Sequence, residues 1–115
     1  MQHYQWNGIP IENMSPLVSR QVINGETITI ARLVLKKGAF VPLHSHINEQ
    51  ISTIETGSLR FVVGGQEIVV KAGETLVIPP HVPHLAEAHE DCTAIDTFSP
   101  VREDWLRGDD AYLRG

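Results

Sequence analysis

The chain has 115 residues, 42% of them apolar and 20% charged, and a formal charge of −5. That length holds one domain with its own core, and the composition is that of a folded protein rather than a disordered one. No basic cluster is present to meet a phosphate backbone, and no run of about 18 apolar residues is present to cross a bilayer, so neither nucleic acid nor membrane is an expected partner.

The first 24 residues, opening "MQHYQWNGIPIENMSP", have neither the basic nor the apolar region of a secretory leader and read as an irregular segment. Trp6, Ile9 and Met14 are expected to pack it on a sheet or on a partner subunit. From residue 25 to residue 102 the runs "ETITIARLVL", "LRFVVGG", "QEIVVKAG", "ETLVIPP" and "CTAIDTF" recur at intervals of about ten residues. They are rich in Val, Ile and Thr and bounded by Gly, Pro or Asn, which predicts an all-β sandwich or barrel. Gly64 and Gly65 between two such runs predict a hairpin, because glycine accepts the positive φ of tight turns. Cys92 is the only cysteine, which excludes an intrachain disulfide, fits a reducing cytoplasmic setting and suggests a small buried apolar residue. The tail 103–115 admits a short helical turn at most, and Trp105, Leu106, Tyr112 and Leu113 are expected to pack it down.

The candidate chemistry centres on "HSHINEQ". Residues two apart on a strand share a face, so His44 and His46 would project to one point while Ser45 faces away. Such a pair alone reads equally as packing or as metal binding, and its surroundings have to decide. Gly38, His44, His46, Gln50 and Gly57 follow the pattern G-x5-H-x-H-x3-Q-x6-G, and Gly73, Pro79 and His84 follow G-x5-P-x4-H. The two patterns together resemble the paired motifs of the cupin superfamily across about residues 25–102. The resemblance implies a single-domain jelly-roll β-barrel holding one divalent transition metal (Mn, Fe, Ni, Co or Zn), with His44, His46, Gln50 and His84 as ligands.

The chain departs from the usual motifs at three points. Gln50 stands where glutamate is usual, keeping an oxygen donor but bringing no charge, while Glu49 faces the other way by alternation. His81 stands where glycine is usual and Ala88 where asparagine is usual. Four protein ligands on an octahedral ion would leave two adjacent positions open to a chelating small-molecule substrate. His81, in the rim loop "PPHVPH", is a candidate substrate contact, whereas His3 and His89 read as surface residues.

The stretch "CTAIDTFSPVREDW" places Asp96 and Phe98 on one strand face, in phase with Cys92 and Ala94, with Arg102 just beyond the turn at Ser99 and Pro100. An inward aspartate needs either a task or an ion pair, for which Arg102 and Arg32 are the candidates. The stretch also resembles the pectin-degradation cupins that convert 4,5-unsaturated uronate monosaccharides to their ketone forms. That resemblance implies Asp96 as general acid or base, Arg102 binding the uronate carboxylate through its planar fork, and Phe98 walling the pocket. Two other readings stay open at this point: an Fe(II)-dependent dioxygenase of a small chelating substrate, and a non-catalytic metal-containing cupin that binds a sugar or effector. An all-β chain has edges to cover, and a homodimer is expected.

Overall fold

The computed structural model describes residues 1–114. In chain order its strands are β1 (Glu12–Ser15), β2 (Val18–Asn24), β3 (Thr29–Leu35), β4 (Phe40–His44), β5 (Glu49–Thr56), β6 (Ser58–Val63), β7 (Gln66–Lys71), β8 (Thr75–Ile78), β9 (His84–Glu87) and β10 (Cys92–Ser99). One helical turn, α1 (Glu103–Leu106), follows them. The strands pair in two antiparallel sheets, ordered β1-β2-β3-β10-β5-β8 and β4-β9-β6-β7.

Alternation explains the layering. β3 turns Ala31, Leu33 and Leu35 inward and β10 turns Cys92, Ala94 and Phe98 inward, to meet Leu59 and Phe61 of β6 and Ala86 of β9. Each fully buried Leu or Phe contributes about 1.5–3 kcal/mol through the apolar surface it removes from water. Cys92 is one of these core residues, and burial pushes its thiol up to about 11. Gly64 and Gly65 adopt positive φ and close the expected hairpin, in which Val63 pairs with Gln66. No helix among the described residues is long and apolar enough to cross a membrane.

The structure refines two expectations. The hydrogen-bond ladders do not close on themselves, so the jelly roll is a two-sheet sandwich whose facing side chains fill its middle. The segment 1–24 is not irregular throughout: β1 and β2 extend the larger sheet, with Val22 paired to Ala31 and Arg20 to Leu33. Arg20 hid this from the sequence, because it takes an inward strand position while its guanidinium is neutralised 2.6 Å away by Asp110 of the tail. A charge whose partner lies 90 residues away reads locally as a loop residue.

Gly57 is the single residue that carries the chain from β5 in one sheet to β6 in the other. Its φ is 72°, and a Cβ there would lie 2.2 Å from the Asp91 carbonyl oxygen. Gly57→Ala is therefore expected to cost about 3 kcal/mol or more, since positive φ and a backbone clash act together. Urea unfolding measures it, and a loss within about 0.5 kcal/mol, the range of an ordinary surface change, would contradict it.

Candidate metal centre and its cavity

His44 ends β4 and His84 begins β9, and the two are direct cross-strand partners. His46 lies past the end of β4, in the bend before β5, so its convergence comes from that bend and not from strand alternation. The result is nevertheless a cluster: ligand atoms of His44, His46 and His84 all lie within 4.8 Å of one another. Gln50 joins them from β5, buried, with its Oε1 3.1 Å from His46 Nε2.

The backbone orients each imidazole in the same way. Nδ1 of His44 donates to the Pro42 carbonyl at 2.7 Å, Nδ1 of His46 to that of Asn48 at 3.0 Å, and Nδ1 of His84 to that of Val82 at 2.9 Å. With the ring proton on Nδ1, every Nε2 carries a bare lone pair. His84 Nε2 is buried without a hydrogen-bond partner among the described residues, and His46 Nε2 faces the Gln50 oxygen, acceptor against acceptor. Lone pairs so gathered repel one another unless a cation sits among them. Burial holds His44 and His46 down to about 4 and His84 below the ordinary histidine value, so the cluster is neutral at pH 7, as ligation requires. The donor set fits a divalent transition ion.

Beside the cluster lies a cavity of about 50 Å³, lined by His44, Gln50, His84, Asp96, Phe98 and Arg102, with apolar core residues beneath. Asp96 sits on β10 opposite Ser52 of β5. Ser52 accepts from the Gln50 amide at 2.9 Å and faces Asp96 across the strand pair, so Gln50, Ser52 and Asp96 lie in succession beside the cluster. Desolvation pushes the Asp96 carboxyl up to about 6, against the opposing pull of the Ser52 hydroxyl and the Arg102 charge. Neither arginine considered as an ion-pair partner pairs with it among the described residues. Arg102 binds Asp104, and Arg32 approaches Glu55 at 3.8 Å.

Arg102 is fully buried, with its guanidinium 4.7 Å from the Phe98 ring and 4.3 Å from the Trp105 ring. Its Nε and Nη2 donate to the two Asp104 oxygens at 3.0 and 2.7 Å, and Nη2 also donates to the Tyr112 hydroxyl at 2.6 Å. The fork edge expected to face a substrate carboxylate is thus occupied by the protein itself. Phe98 lines the same cavity as Asp96, with its ring 5.8 Å from that of His46 and 5.1 Å from that of Trp105.

His81 does not line the cavity. It is an exposed rim residue whose N–H donates to the His46 carbonyl at 2.8 Å, with φ of 66°. A non-glycine side chain in that region costs about 1–2 kcal/mol. His81→Gly is expected to raise stability by about 1 kcal/mol, measured by urea unfolding, and a lower midpoint with an unchanged slope would assign the imidazole a contact of its own.

Three residues of the site escaped the sequence reading. Asn48 is buried, donates through its amide to the Pro100 and Val101 carbonyls at 2.5 and 3.2 Å, and so ties the His46 bend to the segment that delivers Arg102. Ser52 was legible by counting two on from Gln50. Tyr112, 68 positions beyond His44, stacks on the His44 ring at 4.5 Å, which no local pattern foretells.

The model of the cupin domain family matches residues 31–98, more than half of the chain. The chain belongs to the cupin family. Among known cupins it is 31% identical to the RmlC-like cupin from Shewanella frigidimarina NCIMB 400, with a TM-score of 0.84 over 91% of this chain and 96% of that one. KdgF from Halomonas sp. is 25% identical and superposes with a TM-score of 0.85 over 92% of this chain and 99% of that one. The pectin degradation protein KdgF of Dickeya dadantii (strain 3937) is 29% identical over 100 residues, 84% of this chain and 91% of its own.

Proposed function

We propose that this cupin is a metal-dependent isomerase that converts a 4,5-unsaturated uronate, or a closely similar small carboxylated sugar, to its keto form. The observation that carries the reading is Asp96, an unpaired carboxyl beside the histidine cluster with a pKa pushed up to about 6. The likeness to two KdgF proteins, one of them named for pectin degradation, supports it.

Ketonisation adds one proton to carbon and removes one from oxygen, without net oxidation. The chain must therefore supply a group that both holds and releases a proton near neutral pH. Asp96 suits that task, because a pKa close to the working pH leaves both of its forms populated. Opposite it, Ser52 accepts from the Gln50 amide, so the carboxyl and the Gln50 side chain share one neighbour. Arg102 contributes a buried positive charge for the sugar carboxylate, and Phe98 supplies an apolar wall. His44, His46, Gln50 and His84 would hold the ion, a Lewis acid that binds substrate oxygens and polarises the forming carbonyl.

The test is the ultraviolet absorbance of a 4,5-unsaturated uronate incubated with protein of measured metal content. Loss of the chromophore faster than its spontaneous decay supports the isomerase. No loss, together with iron-dependent oxygen uptake, would replace it by the dioxygenase. We also propose that the outer face of the larger sheet, which exposes Val34, Ile51 and Val77, joins two copies in a homodimer.

A further inference from the structure

The tail that follows β10 folds back over the site and presents different residues to its two sides. Trp105, Tyr112 and Leu113 wall the inner cavity, while Glu103, Asp104 and Arg107 wall an outer groove of about 240 Å³ that reaches His46 and Asn48. The inner cavity, at about 50 Å³, is a third of the ~150 Å³ that admits a benzene ring. A ring-sized substrate cannot sit beside Asp96 while the tail is down. Inner cavity and outer groove joined approach the ~300 Å³ at which ligand pockets begin, and the tail is what divides them.

Tyr112 occupies the position that matters most. Its ring stacks on His44 at 4.5 Å with 28° between the planes. Its hydroxyl accepts from Arg102 Nη2 at 2.6 Å and from Trp105 Nε1 at 3.2 Å. One six-membered ring with an oxygen at its far end therefore spans the histidine cluster and the arginine. A uronate held at its carboxylate by Arg102 and at its ring oxygens near His44 would have to span the same two points. The segment is fastened just before and just after Tyr112: Asp110 pairs with Arg20 at 2.6 Å and with Arg114 at 3.0 Å, and Leu113 packs on the core.

We infer that the tail is a lid and that Tyr112 is an internal placeholder for the substrate, bound to His44 and Arg102 when the site is empty and displaced when it fills. The inference rests on the uronate reading for the identity of the displaced ligand, but not for the lid itself. Closed, the lid shields the cluster from solvent and keeps the buried Arg102 charge compensated. Open, it joins groove and cavity into one pocket. Because only the open form binds, the apparent affinity for substrate is reduced by the fraction of time the lid is open.

The test compares the wild-type chain with Tyr112→Ala and Tyr112→Phe, each loaded with cobalt(II) and stripped by excess EDTA while the visible cobalt absorption is followed. Tyr112→Phe keeps the ring on His44 and loses only the hydroxyl, so it remains informative if the alanine variant folds poorly. Stripping is expected to accelerate about tenfold in Tyr112→Phe, the weight of one strong hydrogen bond to a charged group, and further in Tyr112→Ala. Trp105 fluorescence in a Trp6→Phe background then reports binding of D-galacturonate, which is expected to be tighter in both variants than in wild type. Equal stripping rates in all three proteins would overturn the lid, as would a chain that takes up no cobalt. Faster stripping with weaker galacturonate binding would overturn the placeholder and make Tyr112 a substrate contact. Faster stripping with no galacturonate binding in any form would uphold the lid and remove the uronate reading. Unchanged stripping in a chain that ketonises unsaturated uronate would do the reverse.

Discussion

Asp96→Asn is expected to lower turnover of a 4,5-unsaturated uronate by about 10²–10⁴-fold while leaving metal content unchanged, the range over which a positioned general acid or base acts. The same substitution is expected to stabilise the fold at pH 7. Asp96 titrates near 3.8 when unfolded and is pushed up to about 6 in the folded chain. Between those values the folded state holds a proton that the unfolded state has lost. Stability therefore falls as pH rises from about 4 to about 6, and the deficit persists at neutral pH. Asp96 keeps part of its surface exposed, which holds the penalty to the order of 1–3 kcal/mol. Asparagine carries no charge to desolvate, so its unfolding midpoint should lie several degrees above wild type at pH 7 and merge with it near pH 4. A protein that loses both activity and stability at pH 7 would show that Asp96 is a structural carboxylate.

Removing His84 is expected to weaken divalent metal binding by more than about 100-fold, since loss of even an orienting partner of a ligand costs 10–100-fold. At 1,000 times its dissociation constant the ion should stabilise the wild-type chain by about 4 kcal/mol and His84→Ala hardly at all, read as the metal-dependent shift in thermal unfolding. The pH dependence of the metal-free chain runs opposite to that of Asp96. His44 and His46 resist protonation down to about 4 when folded, whereas an unfolded histidine accepts a proton near 6.5. Below 6.5 the unfolded state binds more protons, so stability is lost as pH falls from 6.5 toward 4. Chelated protein should thus unfold at mildly acidic pH, and His44→Gln should blunt that loss. In an Asp96→Asn background, where the opposing carboxyl titration is gone, a metal-free chain equally stable at pH 7 and pH 5 would contradict the burial of these rings.

β3, β6, β7, β8 and β10 were legible as runs rich in Val, Ile and Thr between turn residues, and the core pattern of Ala31, Leu33 and Leu35 survives in the local order of residues; β4, β5 and β9 were not among those runs. β1 and β2 were missed because their inner positions include Arg20, whose acceptability depends on Asp110 far along the chain. The histidine cluster was legible as a pattern of spacings, but the mechanism inferred for it was incomplete. His46 reaches the centre through a bend held by Asn48 and by the His81 N–H, not along a strand.

Periodicity and short-range spacing are properties of neighbouring residues, and so the β class, the Gly64–Gly65 hairpin and the common face of Asp96 and Phe98 could be read from the sequence alone, while the grouping of His44, His46 and His84 was implied by the resemblance of two short motifs. The rest belongs to contacts between segments that the sequence keeps far apart. Asp96 draws its raised pKa from the burial that packing around it creates, a property of assembled space rather than of residue order. Arg102 meets Asp104 two residues on and Tyr112 ten residues on, yet only the folded tail turns both toward it. That tail also decides how large the cavity is, because loop closure brings Tyr112 over His44 without leaving any periodic trace in the chain.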